Sequence, residues 1–165
     1  TELIRQMASA VEHVHRTGFI HRDVCPRNFI CSDDATSLKL IDFGLTLPAR
    51  GEFMQPGNRT GTPLYMAPEI VRRRATDQRV DVFSLGVTAY HLCAFELPWP
   101  NADTPAMTAM SHQSVLPTDI FELVPNLHPD LGQAIMRCLA ADPNRRPATV
   151  TEFLTSIRKV DHDTV

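Results

Sequence analysis

No apolar run among the 165 residues approaches the roughly 20 needed to cross a bilayer, and no secretory signal is read at the start. A basic excess is missing too: 16 Lys and Arg face 19 Asp and Glu, for a net charge of −3, which speaks against a nucleic-acid partner. The four cysteines, Cys25, Cys31, Cys93 and Cys138, form no C-x-x-C pair, and none stands beside a His at ligand spacing. That disfavours a zinc site and predicts reduced thiols, as in a cytoplasmic protein or the cytoplasmic domain of a larger one. His13 and His15 are two apart, which on a helix turns them to different faces and disfavours a metal site there. With 43% hydrophobic and 21% charged residues, the chain has the composition of one globular domain with a core.

What is present centres on residues 21 to 44. His21-Arg22-Asp23 is followed by Asn28, five residues after the Asp. The short apolar runs Phe29-Ile30-Cys31 and Leu38-Lys39-Leu40-Ile41 flank a polar turn at 32 to 37 and predict a hairpin. A hairpin would bring Asn28 and Asp42, at its open ends, close together. One carboxylate, Asp23, can then accept a hydroxyl proton. Asn28 and Asp42 can hold hard cations, because Mg²⁺ takes oxygen ligands from one or two protein groups plus substrate phosphates.

Elsewhere the pattern is helical. Leu3, Ile4, Met7, Ala8, Val11 and Val14 predict an amphipathic helix over 2 to 17, ended by Gly18. Residues 79 to 95 are apolar on most sides and predict a core helix carrying one acid, Asp81. Pro98-Trp99-Pro100 is placed to stop it. Further helices are expected near 105 to 113 and over 130 to 140. A last one opens on the capping box Thr149-Val150-Thr151-Glu152, with fraying expected after about 158. The basic run Arg72-Arg73-Arg74 reads as a solvated helix face.

The loops 21 to 28 and 42 to 44 resemble the catalytic loop and the D-F-G metal loop of eukaryotic-type protein kinases. Gly61-Thr62-Pro63-Leu64-Tyr65-Met66-Ala67-Pro68-Glu69 resembles their substrate-docking loop, in its serine/threonine form. Asp142-Pro143-Asn144-Arg145-Arg146-Pro147 resembles their D-P-x-x-R-P signature. The resemblance implies a mainly α fold with a small β-hairpin, a protein-kinase-like C-lobe with the N-lobe absent. It would cover residues 1–160, with an activation segment at 42–69 and a tail at 161–165.

By resemblance, Asp23 is the catalytic base, Thr62 bonds it and frames the acceptor, and Arg22 meets a phosphate on the activation segment. Asn28, Ile30 and Asp42 are implied at the bound ATP, with Asn28 and Asp42 on Mg²⁺. His21, Phe43, Glu69, Asp81 and Arg146 are implied in structural roles: Asp81 accepts bonds from the catalytic-loop backbone, and Arg146 forms a buried ion pair with Glu69. Thr60 is the hydroxyl expected to meet Arg22 when phosphorylated, since Asn58 stands at the family's usual acceptor position.

Two departures matter. Cys25 stands where serine/threonine kinases carry Lys against the transferred phosphate, and it cannot supply a permanent charge; Arg27, two residues on, can compensate in part. No G-x-G-x-x-G strand pair, strand Lys or partner Glu is found. The expectation is therefore a kinase lobe inactive alone, completed by an N-lobe in a parent chain and acting there on a protein substrate. A pseudokinase scaffold and a small-molecule phosphotransferase are the alternatives. The run 61 to 69 speaks against the latter, which would lack a docking loop.

Overall fold

The computed structural model describes residues 1–34, 36–99 and 103–160. Helix α1 (Glu2–Arg16) turns Ile4, Met7, Ala8, Val11 and Val14 inward, the i, i+3, i+4 stripe that a half-buried helix needs. Gly18 follows with φ +85°, a conformation that glycine alone adopts without steric cost.

The chain then forms two small antiparallel ribbons. Strand β1 (Phe19–Ile20) pairs with β4 (Leu47–Pro48) in the register Ile20 to Leu47. Strand β2 (Phe29–Cys31) pairs with β3 (Leu38–Leu40), Phe29 opposite Leu40. The second is the hairpin expected from sequence. The first was not expected from sequence: it ties down a stretch of the segment after Asp42. Leu47 is only partly buried, and two residues carry no periodicity to detect.

Helix α2 (Pro68–Val71) is one turn at the end of that segment. Helix α3 (Arg79–Ala94) is buried continuously from Val80 to Tyr90 and forms the centre of the molecule. It ends at Phe95, whose φ of +57° turns the chain before Pro98 is reached. Proline is therefore not the stop signal, and Pro100 lies outside the described residues. Leu92, on the stretch 79 to 95 expected to lie in the core, is 36% exposed because the last turn of α3 leaves the core.

Helices α4 (Pro105–Ser111), α5 (Ile120–Leu123), α6 (Pro129–Cys138) and α7 (Val150–Ser156) surround α3 and α1. Close approach of α6 to α3 depends on Gly86, where a Cβ would lie 2.4 Å from Cβ of Cys138. Thr149 caps α7 by accepting from Glu152 N at 3.1 Å, and the Glu152 carboxylate reaches back to Ala148 N at 2.8 Å. Fraying does not begin at 158: Ile157 and Val160 are buried in the core. The expected tail, 161–165, lies outside the described residues.

Candidate active site

The polypeptide from Ile20 to Asp23 is held from below by a single buried acid. Asp81, fully buried on α3, accepts from the backbone N–H of His21 at Oδ2 and of Arg22 at Oδ1, both at 2.8 Å. A third group closes on it: Nε2 of His15 lies 2.8 Å from Asp81 Oδ2. An acid this deep needs that many partners, since an unpaired buried carboxylate costs several kcal/mol, roughly. Holding the loop so tightly puts Arg22 at φ +69°. A non-glycine residue in that region costs of order 1–3 kcal/mol and is common at functional sites.

His21 links this loop to the next. Its Nδ1 accepts from Asp23 N at 3.2 Å, and its Nε2 lies 3.1 Å from the Ile41 carbonyl. A carbonyl can only accept, so Nε2 carries the proton and the ring is the neutral Nε2–H tautomer. The edge of Phe43 meets the same ring, centroids 5.1 Å apart, while the rest of Phe43 is exposed.

Asp23 is the most contacted carboxylate of the site. Thr62 gives Oδ1 two bonds, one from its hydroxyl at 2.6 Å and one from its backbone N–H at 2.9 Å. Asn28 Nδ2 donates to Asp23 Oδ2 at 3.1 Å and to the Asp23 carbonyl at 2.7 Å. Burial alone would raise the Asp23 carboxyl, yet these bonds and the Arg27 charge outweigh it and hold the group below the usual carboxylate value. Gly61 makes the approach of Thr62 possible. Its φ is +121°, and a Cβ there would lie 2.9 Å from the Arg22 carbonyl oxygen.

Asp42 sits one step beyond the hairpin ladder. Ile41 N donates to Asn28 O at 2.8 Å, so the ladder runs past β2 and β3 to the mouth where Asn28 and Asp42 emerge. Asp42 has φ +61° and an exposed carboxylate whose Oδ1 accepts from Gly44 N at 3.2 Å. Both side-chain bonds of Asn28 use its nitrogen, which leaves its amide oxygen to a cation. An amide oxygen and a carboxylate are the hard donors that Mg²⁺ prefers, so the residues fit that ion. Ile30, 56% exposed, presents an apolar surface on β2 beside them.

Arg27 was only a partial candidate in the sequence, and here it reaches into the site. Its guanidinium donates to the Thr62 hydroxyl at 2.9 Å and lies 3.4 Å from Asp23 Oδ2. Cys25 is buried, with Sγ 3.7 Å from the same hydroxyl. Arg22 and Thr60 do not bond each other: Arg22 Nε and Thr60 Oγ1 are both buried without a hydrogen-bond partner among the described residues. Remote from the loops, Arg146 meets Glu69 in a buried bidentate pair, at 2.7 and 2.9 Å. His15, weighed in the sequence only as a metal ligand, was missed as a partner of Asp81. Its signal was there, since it follows Val11 by four on the apolar stripe of α1.

The family model described as protein kinase domain matches residues 1–157. A probable serine/threonine-protein kinase of Clostridium perfringens is 31% identical over 162 residues, covering 96% of this chain and 23% of that protein. The serine/threonine-protein kinase Pkn1 of Myxococcus xanthus is 32% identical over 161 residues, 94% of this chain and 23% of its own length. The CBL-interacting protein kinase 25 of Oryza sativa subsp. japonica is 34% identical over 153 residues, 91% and 28% respectively. The chain belongs to the protein kinase family, in its serine/threonine branch. It spans about a quarter of the length of these relatives. No helix among the described residues is long and apolar enough to cross a membrane.

Proposed function

We propose that residues 1–160 are the C-lobe of a protein serine/threonine kinase, which in a complete kinase domain transfers the γ-phosphate of ATP to Ser or Thr hydroxyls of a protein substrate. The observation that carries this reading is the pair of hydrogen bonds that Thr62, on the proposed docking loop, donates to the Asp23 carboxylate of the proposed catalytic loop. Asp23 orients the acceptor hydroxyl and takes its proton as the oxygen–phosphorus bond forms and the bond to the departing ADP breaks. Asn28 and Asp42 would hold Mg²⁺, which neutralises charge on the phosphates. Ile30 offers the apolar floor for the nucleotide. Arg27 takes over, at lower reach, the cationic task that Cys25 cannot perform, because it is the cation already seated beside both Asp23 and Thr62.

The catalytic loop 21–28 and the activation segment 42–69 lie in this lobe, and 161–165 is a tail. The roof of the nucleotide site belongs to an N-lobe in the parent chain, so these residues alone have negligible activity and weak ATP affinity. The setting is cytoplasmic. Phosphorylated Thr60 is the group that would meet Arg22, whose Nε has no hydrogen-bond partner among the described residues. Thr60→Ala in the full-length protein should lower activity, and unchanged activity would remove Thr60 from the reading.

The test is transfer from labelled ATP by the full-length protein and its Asp23→Asn variant. Peptides bearing Ser, Thr or Tyr are compared with simple alcohols and aminoglycosides. Mg²⁺-dependent labelling of Ser and Thr peptides, lost in the variant, supports the proposal. Nucleotide binding without transfer would point to a scaffold, and labelling of the small molecules to a small-molecule phosphotransferase.

A further inference from the structure

Four arginines gather where the run 61–69 ends. Helix α2 stops at Val71, so Arg72, Arg73 and Arg74 stand on the turn that follows it and not on a helix face. The turn is tight: Arg74 N donates to the Glu69 carbonyl at 2.8 Å, and Arg73 N to that of Ile70 at 3.0 Å. Arg73 takes the left-handed position, φ +54°, which such helix ends usually give to Gly. All three side chains are exposed, and none makes a hydrogen bond or ion pair among the described residues.

The fourth cation arrives from the segment before Thr62. Residues 54 to 59 lie along 71 to 76: Thr76 N donates to the Met54 carbonyl at 2.8 Å, and Arg59 Nε to the Val71 carbonyl at 2.6 Å. Arg59 is thus anchored by Nε next to Arg72, and its terminal nitrogens are uncommitted among the described residues. A merely solvated basic run has no need of a further cation fixed beside it.

No acid of the neighbourhood answers this charge. From 53 to 76 the chain holds these four arginines and one carboxylate, Glu69, which Arg146 already neutralises. Asp77 is held by Arg79, and the exposed Glu52 and Asp103 pair with none of the four. The chain as a whole carries −3, so its cations are concentrated at the edge of the loop that Thr62 enters. A nucleic acid or an anionic membrane extends past such a patch and would meet the acidic remainder of the surface. A short acidic segment would not. Carboxylates also suit the planar guanidinium fork, which they bridge with two parallel bonds.

We propose that Arg59, Arg72, Arg73 and Arg74 dock an acidic segment of the protein substrate, outside the residue that receives the phosphate. That the partner is a substrate rests on the kinase reading above; that the arginines hold carboxylates does not.

The test has two arms, both on the full-length protein. In the first, a fluorescein-labelled glutamate-rich peptide without Ser, Thr or Tyr is titrated by anisotropy in the absence of nucleotide. Saturable binding that weakens with salt is expected, and the glutamine counterpart should bind at least about tenfold more weakly. Arg72→Gln combined with Arg74→Gln should weaken the acidic peptide about tenfold, and Arg59→Gln a few-fold. Arg145→Gln, at another exposed arginine, should change nothing. In the second arm, a Ser peptide flanked at both ends by glutamates is compared with one flanked by glutamines. The acidic one should show a KM about tenfold lower at equal kcat, and the double variant should erase that difference with kcat kept. Equal binding of the two labelled peptides, full affinity in the double variant, or an equal loss in Arg145→Gln would overturn the proposal. So would an oligouridylate or phosphatidylserine vesicles binding more tightly than the peptide. Acidic-peptide binding lost in the double variant, without transfer to any Ser peptide, would count against the kinase reading and leave the docking surface standing.

Discussion

Thr62 donates its hydroxyl to Oδ1 of Asp23 across 2.6 Å, and its backbone N–H reaches the same oxygen at 2.9 Å. Both bonds fall on one oxygen. The other, Oδ2, faces Asn28 and Arg27 and is the one left for an incoming hydroxyl. If Asp23 is the base, Asp23→Asn in the full-length protein keeps the fold and loses the proton acceptor. General-base groups contribute about 10²–10⁴ in rate, so kcat should fall by roughly 10³ with KM for ATP little changed. Steady-state kinetics beside a thermal melt check both halves. A loss of folding in the variant would leave Asp23 a structural residue only.

The same bonds fix a pH dependence. The folded Asp23 carboxyl lies below its unfolded value of 3.8. A depressed acid contributes stability above the unfolded pKa, and this is lost as pH falls through the folded one. Asp23 should thus stay ionised from about pH 5 to 8 and impose no acid limb on the rate there. Thr62→Ala removes one of the bonds that oppose burial and should move the carboxyl upward. ¹³C titration of the Asp side chains, wild type against variant, measures the shift; a downward move would contradict the account.

Arg146 spends all five of its N–H groups. Two go to Glu69, and the rest to the carbonyls of Ala140, Arg79 and Ala141, while the guanidinium lies 4.8 Å over the Phe83 ring. Lysine has the charge but not the planar fork. Arg146→Lys should therefore destabilise nearly as much as Arg146→Ala, by about 3–5 kcal/mol, since either leaves Glu69 buried without its bidentate partner. Chemical denaturation gives the figure. A loss below about 1 kcal/mol for Arg146→Lys would show that charge alone suffices.

Much of this was legible in the chain. The hairpin followed from two apolar runs and a polar turn, and the stripe of α1 from its spacing. Asp81 stood out as the one acid in an apolar helix, which forces partners on it. Other features have no local signature. The β1–β4 pairing rests on two residues each, too few for a period to register. Arg27 was read only as a nearby cation able to compensate in part for Cys25, and it takes the fold of Gly61 and Thr62 back over Asp23 to give it a defined target. His15 was set aside by reasoning about metals, although its place on the buried stripe already pointed inward.

Gly86 gives a packing test. A methyl there would need space held by Cys138, whose Cβ would be 2.4 Å away, and Leu139 offers little relief at 3.3 Å. Helix propensity alone would make Gly86→Ala stabilising by up to about 1 kcal/mol. Overpacking of a closed helix pair costs about 1–3 kcal/mol and should win, so the net sign is destabilising. The double variant Gly86→Ala with Cys138→Gly frees the space. Recovery in the double variant, read from a double-mutant cycle, is the outcome that assigns the cost to this contact.

Asp81 separates positioning from chemistry most cleanly, because it bonds none of the proposed site groups Asp23, Asn28 and Asp42 and yet holds two consecutive backbone N–H groups of the proposed catalytic loop. Both of its oxygens are acceptors, and three donors converge on them. Asp81→Asn keeps the size but replaces one acceptor by an NH₂ donor. That NH₂ would face either the Arg22 N–H or the pair from His21 and His15, and a donor facing a donor gains nothing. Bonds to a charged group are worth about 1.5–3 kcal/mol each, so a stability loss of about 3 kcal/mol is expected. Arg22 at φ +69° is then free to relax, and the loop 21–28 should shift with it. The rate should consequently fall at temperatures well below the melt, in kcat more than in KM. His15→Gln removes only the third bond and should cost less stability with the loop geometry kept. If Asp81→Asn lowered the melting temperature but left kcat untouched, the acid would be a core residue without influence on the site above it.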